Sequence, residues 1–220
     1  MRYMELRKQL VDYGNKMLDE GLTTGTGGNL SIYVRKDKVM LITPSGIPYH
    51  KTTPQDITVL TLDGDVIEGD RKPSSEYDMH RIFYQNTHNV NAVVHTHSEY
   101  ATVFACLQED ILPIHYIIGS IGKRIRCCPY ETFGTPELAE VVFDTIGEDK
   151  GLLLGNHGTI AVGKDLCDAF SIAKDIEFMA KLYYRTKAIG TPVVLTDTQL
   201  DDVIEKFGTY GQSRTYGQEN

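Results

Sequence analysis

The order of helical and extended patterns in this 220-residue chain predicts an α/β/α layered single domain around a largely antiparallel central sheet. Three observations carry that expectation. Short apolar runs of strand character are mixed among segments of helical spacing, several strand pairs are joined by short turns as hairpins, and no repeat or low-complexity tract divides the chain. The length allows one full core, and 41% hydrophobic with 24% charged residues is ordinary globular composition.

Residues 2–20 carry Leu6, Leu10, Met17 and Leu18 at helical spacing, with Gly21 as the stop. Next comes Thr24-Gly25-Thr26-Gly27-Gly28-Asn29. Such a glycine cluster serves either a tight turn or an anion, since its backbone N–H groups are open. The Lys-Ser/Thr ending of a phosphate loop is missing, as is the Gly-x-Gly-x-x-Gly order of a dinucleotide fold. Residues 30–34 and 39–43 read as a hairpin across Arg35-Lys36-Asp37-Lys38, and 57–61 with 66–68 as a second across Asp63-Gly64. Between them lies the rigid loop Thr43-Pro44-Ser45-Gly46-Ile47-Pro48-Tyr49.

At Lys72-Pro73-Ser74-Ser75-Glu76 the pattern turns helical, with Met79 and Phe83 one turn apart, a serine as cap and Glu76 inside the helix. A first-turn acid often only complements the helix dipole, so Glu76 has an ordinary structural explanation. Residues 91–97 form an apolar strand, and Ser98 caps a helix through Phe104 and Leu107. Residues 114–118 read as a strand in which Tyr116 fills a pleated surface. Thr135-Pro136 starts a helix to Ile146. Residues 151–154 and 159–162 pair as a hairpin with His157 at the turn. The segment 166–189 is a long helix covering a sheet face, and 200–207 a short one ending at Gly208. The remaining 209–220 reads as a mobile polar tail.

A net charge of −8 without a basic cluster excludes nucleic acid and anionic membrane as partners on electrostatic grounds. No apolar run approaches the ~20 residues of a spanning helix, and Met1-Arg2-Tyr3-Met4-Glu5 lacks a signal peptide's apolar segment, so the chain reads as soluble and cytoplasmic. Cys106, Cys127, Cys128 and Cys167 show no CxxC spacing, which favours reduced thiols. Adjacent Cys127 and Cys128 on an extended segment face opposite ways, which makes them poor joint ligands.

The chemistry-bearing pattern is His95-Thr96-His97. Strand alternation sends both imidazoles to one side. Two histidines do not close a metal site, and His157 and Glu76 are the candidates to complete it. Three nitrogens and one carboxylate oxygen suit Zn²⁺. His50, His80, His88 and His115 have no partner pattern and read as surface or packing residues.

The stretches Gly25-Thr26-Gly27-Gly28-Asn29-Leu30-Ser31, Thr43 to Tyr49, Lys72 to Glu76, Val93-Val94-His95-Thr96-His97 and Asn156-His157-Gly158 resemble, in order and spacing, the class II aldolase and adducin head family. The resemblance runs from the first helix to about Tyr210 and is strongest to enzymes acting on L-fuculose 1-phosphate. It implies a homotetramer with one Zn²⁺ per subunit held by Glu76, His95, His97 and His157. It also implies cleavage of a ketose 1-phosphate to dihydroxyacetone phosphate and an aldehyde, lactaldehyde for fuculose, through a metal-stabilised enediolate. In that pattern the substrate phosphate lies among Thr26, Gly28, Asn29, Ser45, Gly46, Ser74 and Ser75. Glu76 transfers the proton at carbon, and Tyr116 reaches across a subunit boundary to the aldehyde oxygen. Tyr210 closes over the site from the tail, and Phe133 borders the aldehyde pocket. Ribulose-phosphate 4-epimerases, methylthioribulose-phosphate dehydratases and the non-catalytic adducin-like module are the competing members. The epimerases usually carry Asp at the place of Glu76, and the module lacks the ligands.

Overall fold

The computed structural model describes residues 1–209; Tyr210 and the rest of the expected tail beyond Thr209 lie outside them. Eight strands form one sheet in the order β4-β3-β2-β1-β5-β8-β7-β6, comprising β1 (Asn29–Val34), β2 (Val39–Ile42), β3 (Thr58–Thr61), β4 (Val66–Glu68), β5 (Ala92–Thr96), β6 (Cys127–Cys128), β7 (Gly151–Leu154) and β8 (Gly158–Gly163). Every pairing is antiparallel except that of β6 with β7. The layered, largely antiparallel expectation is met. The edge strand β6 was not foreseen, being only two residues long.

Six helices cover the sheet: α1 (Met4–Asp19), α2 (Tyr77–Asn86), α3 (Glu99–Leu107), α4 (Pro136–Ile146), α5 (Leu166–Ile189) and α6 (Asp197–Thr209). Alternation along the strands divides the core in two. Leu30, Ile32, Leu41, Val59, Val94, Leu153 and Ala161 pack under α1, α3 and α5. Their neighbours Tyr33, Met40, Ile42, Leu60, Val93, Leu152 and Ile160 pack under α2 and α4. Apart from the exposed edge strand β4, both faces of the sheet are therefore dry, which is why its inner strands read as continuous apolar runs rather than alternating ones.

Most element ends are where local signals put them. Thr135 caps α4 by accepting a hydrogen bond from Leu138 N at 3.3 Å, with Pro136 at the first turn. Three expectations are corrected. Residues 114–118 are not a strand, because the segment winds into a 3-10 helix, Tyr116–Ser120, held by Ile118 N to His115 O at 3.2 Å and Ile121 N to Ile118 O at 2.9 Å. Gly119 there lies so close under α6 that a Cβ would stand 2.6 Å from Val203 Cγ1, a packing that a pleated strand would not supply. Ser98 stands at the N-cap of α3, but its hydroxyl makes no capping hydrogen bond. Glu177, reaching over from α5, accepts the Tyr100 and Ala101 amides at 3.0 and 2.9 Å instead. Finally, Glu76 stands at the N-cap of α2 rather than within it, and Ser74 Oγ accepts its amide at 3.3 Å.

The basic stretch from Gly119 to Arg126 is engaged in ion pairs: Lys123 with Asp201 at 2.6 Å, Arg126 with Asp149 at 2.7 Å, and Arg124 with Asp110 at 3.8 Å. All four cysteines are free thiols.

Candidate metal centre

The sheet's central strands bring the chemistry together. Val93 and His95 of β5 point to the α2 side, and His97 follows just past the strand end. Because β8 pairs with β5 through His95↔Ile160 and Thr96↔Thr159, the turn between β7 and β8 arrives beside that end and delivers His157. From the other side, an isolated bridge between Pro44 and Pro73 ties the approach to α2 onto the end of β2, which places Glu76.

The four expected ligands converge. Ligating nitrogens of His95, His97 and His157 all lie within 4.8 Å of one another. His95 Nε2 is 2.9 Å from His97 Nε2 and 3.4 Å from Glu76 Oε2, while His157 Nε2 is 3.3 Å from Glu76 Oε1.

Protonation decides what such a cluster can bind. His95 Nδ1 is 2.8 Å from the Thr159 carbonyl oxygen, which only accepts, so Nδ1 carries the proton and Nε2 turns a lone pair inward. Burial holds His95 well below the ordinary imidazole range, and charge on His97 or His157 would lower it further. Burial lowers His97 and His157 as well. Glu76 Oε1 is buried and receives no hydrogen bond although His157 Nε2 stands beside it. Neutral imidazole nitrogens and an undonated carboxylate oxygen facing one another form a set of lone pairs, and a divalent cation is the group that satisfies all of them. The residues present fit a metal.

A cavity of about 430 Å³ opens over this cluster. Glu76, His97 and His157 line it, and so do all seven residues of the phosphate expectation, Thr26, Gly28, Asn29, Ser45, Gly46, Ser74 and Ser75, together with Phe133. The glycine loop is seated from beneath. Tyr49 donates its hydroxyl to Gly28 O at 2.7 Å, and Gly28, at φ +71°, lies so close to β5 that a Cβ would stand 2.5 Å from His95 O. A Cβ on Gly27 would meet His97 Nδ1 at 2.7 Å. These glycines let backbone approach the imidazoles. On the far wall the start of α2 presents Ser74 and Ser75, where a helix N-terminus favours an anion without any lysine.

Tyr116 does not line this cavity; it is 55% exposed, and its ring lies parallel to that of Phe207 at 6.3 Å. Tyr210 falls outside the described residues. Sequence reasoning missed Tyr130 and Asn156, which also line the cavity. Tyr130 gave no signal beyond being an aromatic in a loop, whereas Asn156, beside His157 in a turn and at φ 54°, sat in a quoted motif. His80 proves to be completely buried in polar contacts rather than a surface or packing residue.

Comparison with known proteins agrees with the geometry. The model of the family described as Class II Aldolase and Adducin N-terminal domain matches residues 8–184. The chain is 47% identical over 206 residues to 5-deoxy-D-ribulose 1-phosphate aldolase of Bacillus thuringiensis serovar kurstaki, covering 94% of this chain and 97% of that one. It is 43% identical over 213 residues to L-fuculose phosphate aldolase of Escherichia coli K12, covering 96% and 98%. A solved L-fuculose 1-phosphate aldolase superposes with a TM-score of 0.92 at 42% identity, covering 94% and 98%. A dry two-faced sheet, a lone-pair cluster at its centre and these matches lead to one conclusion: the chain belongs to the class II aldolase and adducin N-terminal domain family.

Proposed function

We propose that the protein is a zinc-dependent aldolase, a lyase that splits ketose 1-phosphates ending in a methyl group to dihydroxyacetone phosphate and an aldehyde. L-fuculose 1-phosphate would give lactaldehyde, and 5-deoxyribulose 1-phosphate the two-carbon aldehyde. The observation that carries the reading is one cavity holding both the imidazole–carboxylate cluster and the small-residue cradle. That pairing suits a substrate whose phosphate is a few bonds from the carbon that changes.

Glu76, His95, His97 and His157 would hold the ion. Bound there, Zn²⁺ would polarise the ketone and stabilise the charge released when the C–C bond breaks. The chain's own groups supply the rest. Thr26, Gly28, Asn29, Ser45, Gly46, Ser74 and Ser75 bind the phosphate through hydroxyls, backbone N–H groups and the start of α2. Glu76, with an oxygen that no donor engages, moves the proton at the substrate carbon. Phe133 and Tyr130, exposed at the cavity mouth, border the aldehyde end, where the two substrates differ by one carbinol carbon. Tyr116 serves the neighbouring site of a homotetramer, for which its exposure is suited, and Tyr210 serves from the chain's end.

Identity to a deoxyribulose phosphate aldolase at 47% and a fuculose phosphate aldolase at 43% supports activity on both substrates rather than on one. A pocket wall that makes no hydrogen bond to that extra carbinol separates such substrates by only ~1–3 kcal/mol. Glutamate rather than aspartate at position 76, and Pro113-Ile114-His115-Tyr116 where the epimerases carry a Thr-Thr-His-Ala-Asp type segment, speak against the epimerase. The filled ligand set speaks against a non-catalytic module. Zinc-loaded protein incubated with each ketose 1-phosphate should release dihydroxyacetone phosphate, read by its enzymatic reduction with NADH. No release from either sugar, or interconversion of ribulose 5-phosphate epimers in its place, would overturn the proposal.

A further inference from the structure

Behind the cavity, five polar side chains form a single buried line. On β1, Asn29 and Ser31 are two apart and share the face covered by α2. On α2, His80 and Tyr84 are one turn apart, and Glu76 at the N-cap precedes them by another. Strand period and helix period interleave. Tyr84 Oη lies 2.6 Å from Ser31 Oγ, and Ser31 Oγ lies 2.7 Å from His80 Nδ1. His80 Nε2 bonds Asn29 Oδ1, and Asn29 Nδ2 donates to Glu76 Oε2 at 2.8 Å. Ser31 and His80 are completely buried, and Asn29, Glu76 and Tyr84 nearly so.

The line has one self-consistent direction. A carboxylate offers only lone pairs, so Asn29 turns its amide N–H to Glu76 and leaves Oδ1 for His80. His80 therefore donates from Nε2 and keeps a lone pair on Nδ1, which takes the Ser31 hydroxyl proton. The Ser31 oxygen is then left to accept from Tyr84. A flipped Asn29 would set its oxygen against Glu76 and its N–H against the His80 N–H, losing two buried bonds together.

We propose that His80 is a positioning residue: through the Asn29 amide it fixes the Glu76 carboxylate so that its other oxygen faces the imidazoles, and Ser31 and Tyr84 fix the His80 tautomer. This deepens the function proposed above and rests on Glu76 being a ligand and proton carrier. The line carries orientation rather than protons. Its far end is a buried tyrosine whose pKa burial raises, and burial together with nearby His95 lowers His80 to about 3, so both stay neutral. An amide in the middle is no relay.

The test uses metal-stripped and reloaded full-length protein. His80→Phe removes both bonds, His80→Gln restores a donor and an acceptor, and Tyr84→Phe deletes only the distal hydroxyl. Zn²⁺ affinity, from competition with a chelator, is read alongside kcat and KM on L-fuculose 1-phosphate and 5-deoxyribulose 1-phosphate. Loss of an outer hydrogen-bond partner typically costs about 10–100-fold, so His80→Phe should weaken Zn²⁺ binding and lower kcat by that factor with KM nearly unchanged. His80→Gln should recover most of both, and Tyr84→Phe should fall between. Should His80→Phe fail to fold, Tyr84→Phe and Ser31→Ala carry the test, with Zn²⁺ affinity reduced several-fold and folding retained. Wild-type affinity and kcat in these variants, or His80→Gln no better than His80→Phe, would refute the assignment while leaving the site intact. Wild-type protein that takes up no Zn²⁺ would remove the proposed site and this role with it.

Discussion

The buried, neutral state of His80 has a cost that acid should expose. His80 lies at 0% exposure, and burial, with the neighbouring His95 as the next cause, lowers it from an ordinary value near 6.5 to about 3. The folded protein thus binds no proton there through the range in which an unfolded chain does. Well above pH 6.5 the group contributes nothing to the pH dependence. As pH falls below that value stability drops, and it keeps dropping until the folded group itself titrates near 3. At about pH 5 an ordinary imidazole is about thirty times more often protonated than not, so the loss from His80 alone is about 2 kcal/mol. His95, His97 and His157 add losses of the same sign. Comparing wild type with His80→Gln removes their share. Urea unfolding, followed by far-ultraviolet circular dichroism because the chain has no tryptophan, would be run at about pH 7.5 and about pH 5 at one protein concentration with chelator present. Wild type should lose about 2 kcal/mol more than His80→Gln between the two pH values. Equal losses would mean that His80 is protonated or exposed in the folded protein, and the directional line through Asn29 would fall.

Two further substitutions probe the cavity. Gly25 and Gly28 both have positive φ, at +63° and +71°, but only Gly28 presses on backbone. Gly25→Ala should cost only the left-handed penalty, roughly 1–2 kcal/mol. Gly28→Ala should cost clearly more and lower Zn²⁺ uptake by displacing His95, and equal costs in urea unfolding would contradict this packing. Glu76→Gln should keep the fold and lose about 10²-fold or more in kcat, as removal of a proton carrier does; turnover like wild type would exclude that role.

What the sequence disclosed tracks how local each cause is. The strand alternation that lifts His95 and His97, the Thr135-Pro136 start of α4, and the hairpin turn bearing His157 all depend on neighbours within a few residues. The phosphate residues, spread from Thr26 to Ser75, were grouped in the sequence only by the family resemblance, and the fold gathers them at one cavity. The misreadings have distant causes. Glu177 caps α3 from 76 and 77 residues along the chain, so the obvious candidate Ser98 had no way to reveal that it is not used. The segment at 114–118 has the composition of a strand, yet packing of Gly119 against α6 turns it into a 3-10 helix. His80 looked unpartnered because its partners, Ser31 and Asn29, lie about 50 positions away on β1. In hindsight Glu76, His80 and Tyr84, spaced by four and opposite the alternating Asn29 and Ser31, formed a readable polar stripe on an otherwise apolar helix face.

The proposed ligands differ in what holds them, and that difference bears on how the site works. His95 is oriented by backbone, since the Thr159 carbonyl takes its Nδ1 proton and the Gly28 loop packs against its own carbonyl. Substitution of a neighbouring side chain leaves those supports in place. Glu76 is oriented by side chains alone, through Asn29 and then His80, Ser31 and Tyr84. A group that only binds an ion is best served by the rigid arrangement. A group that must also accept and return a proton needs one oxygen held and the other unencumbered, and a single amide donor on Oε2 with Oε1 left undonated provides that division.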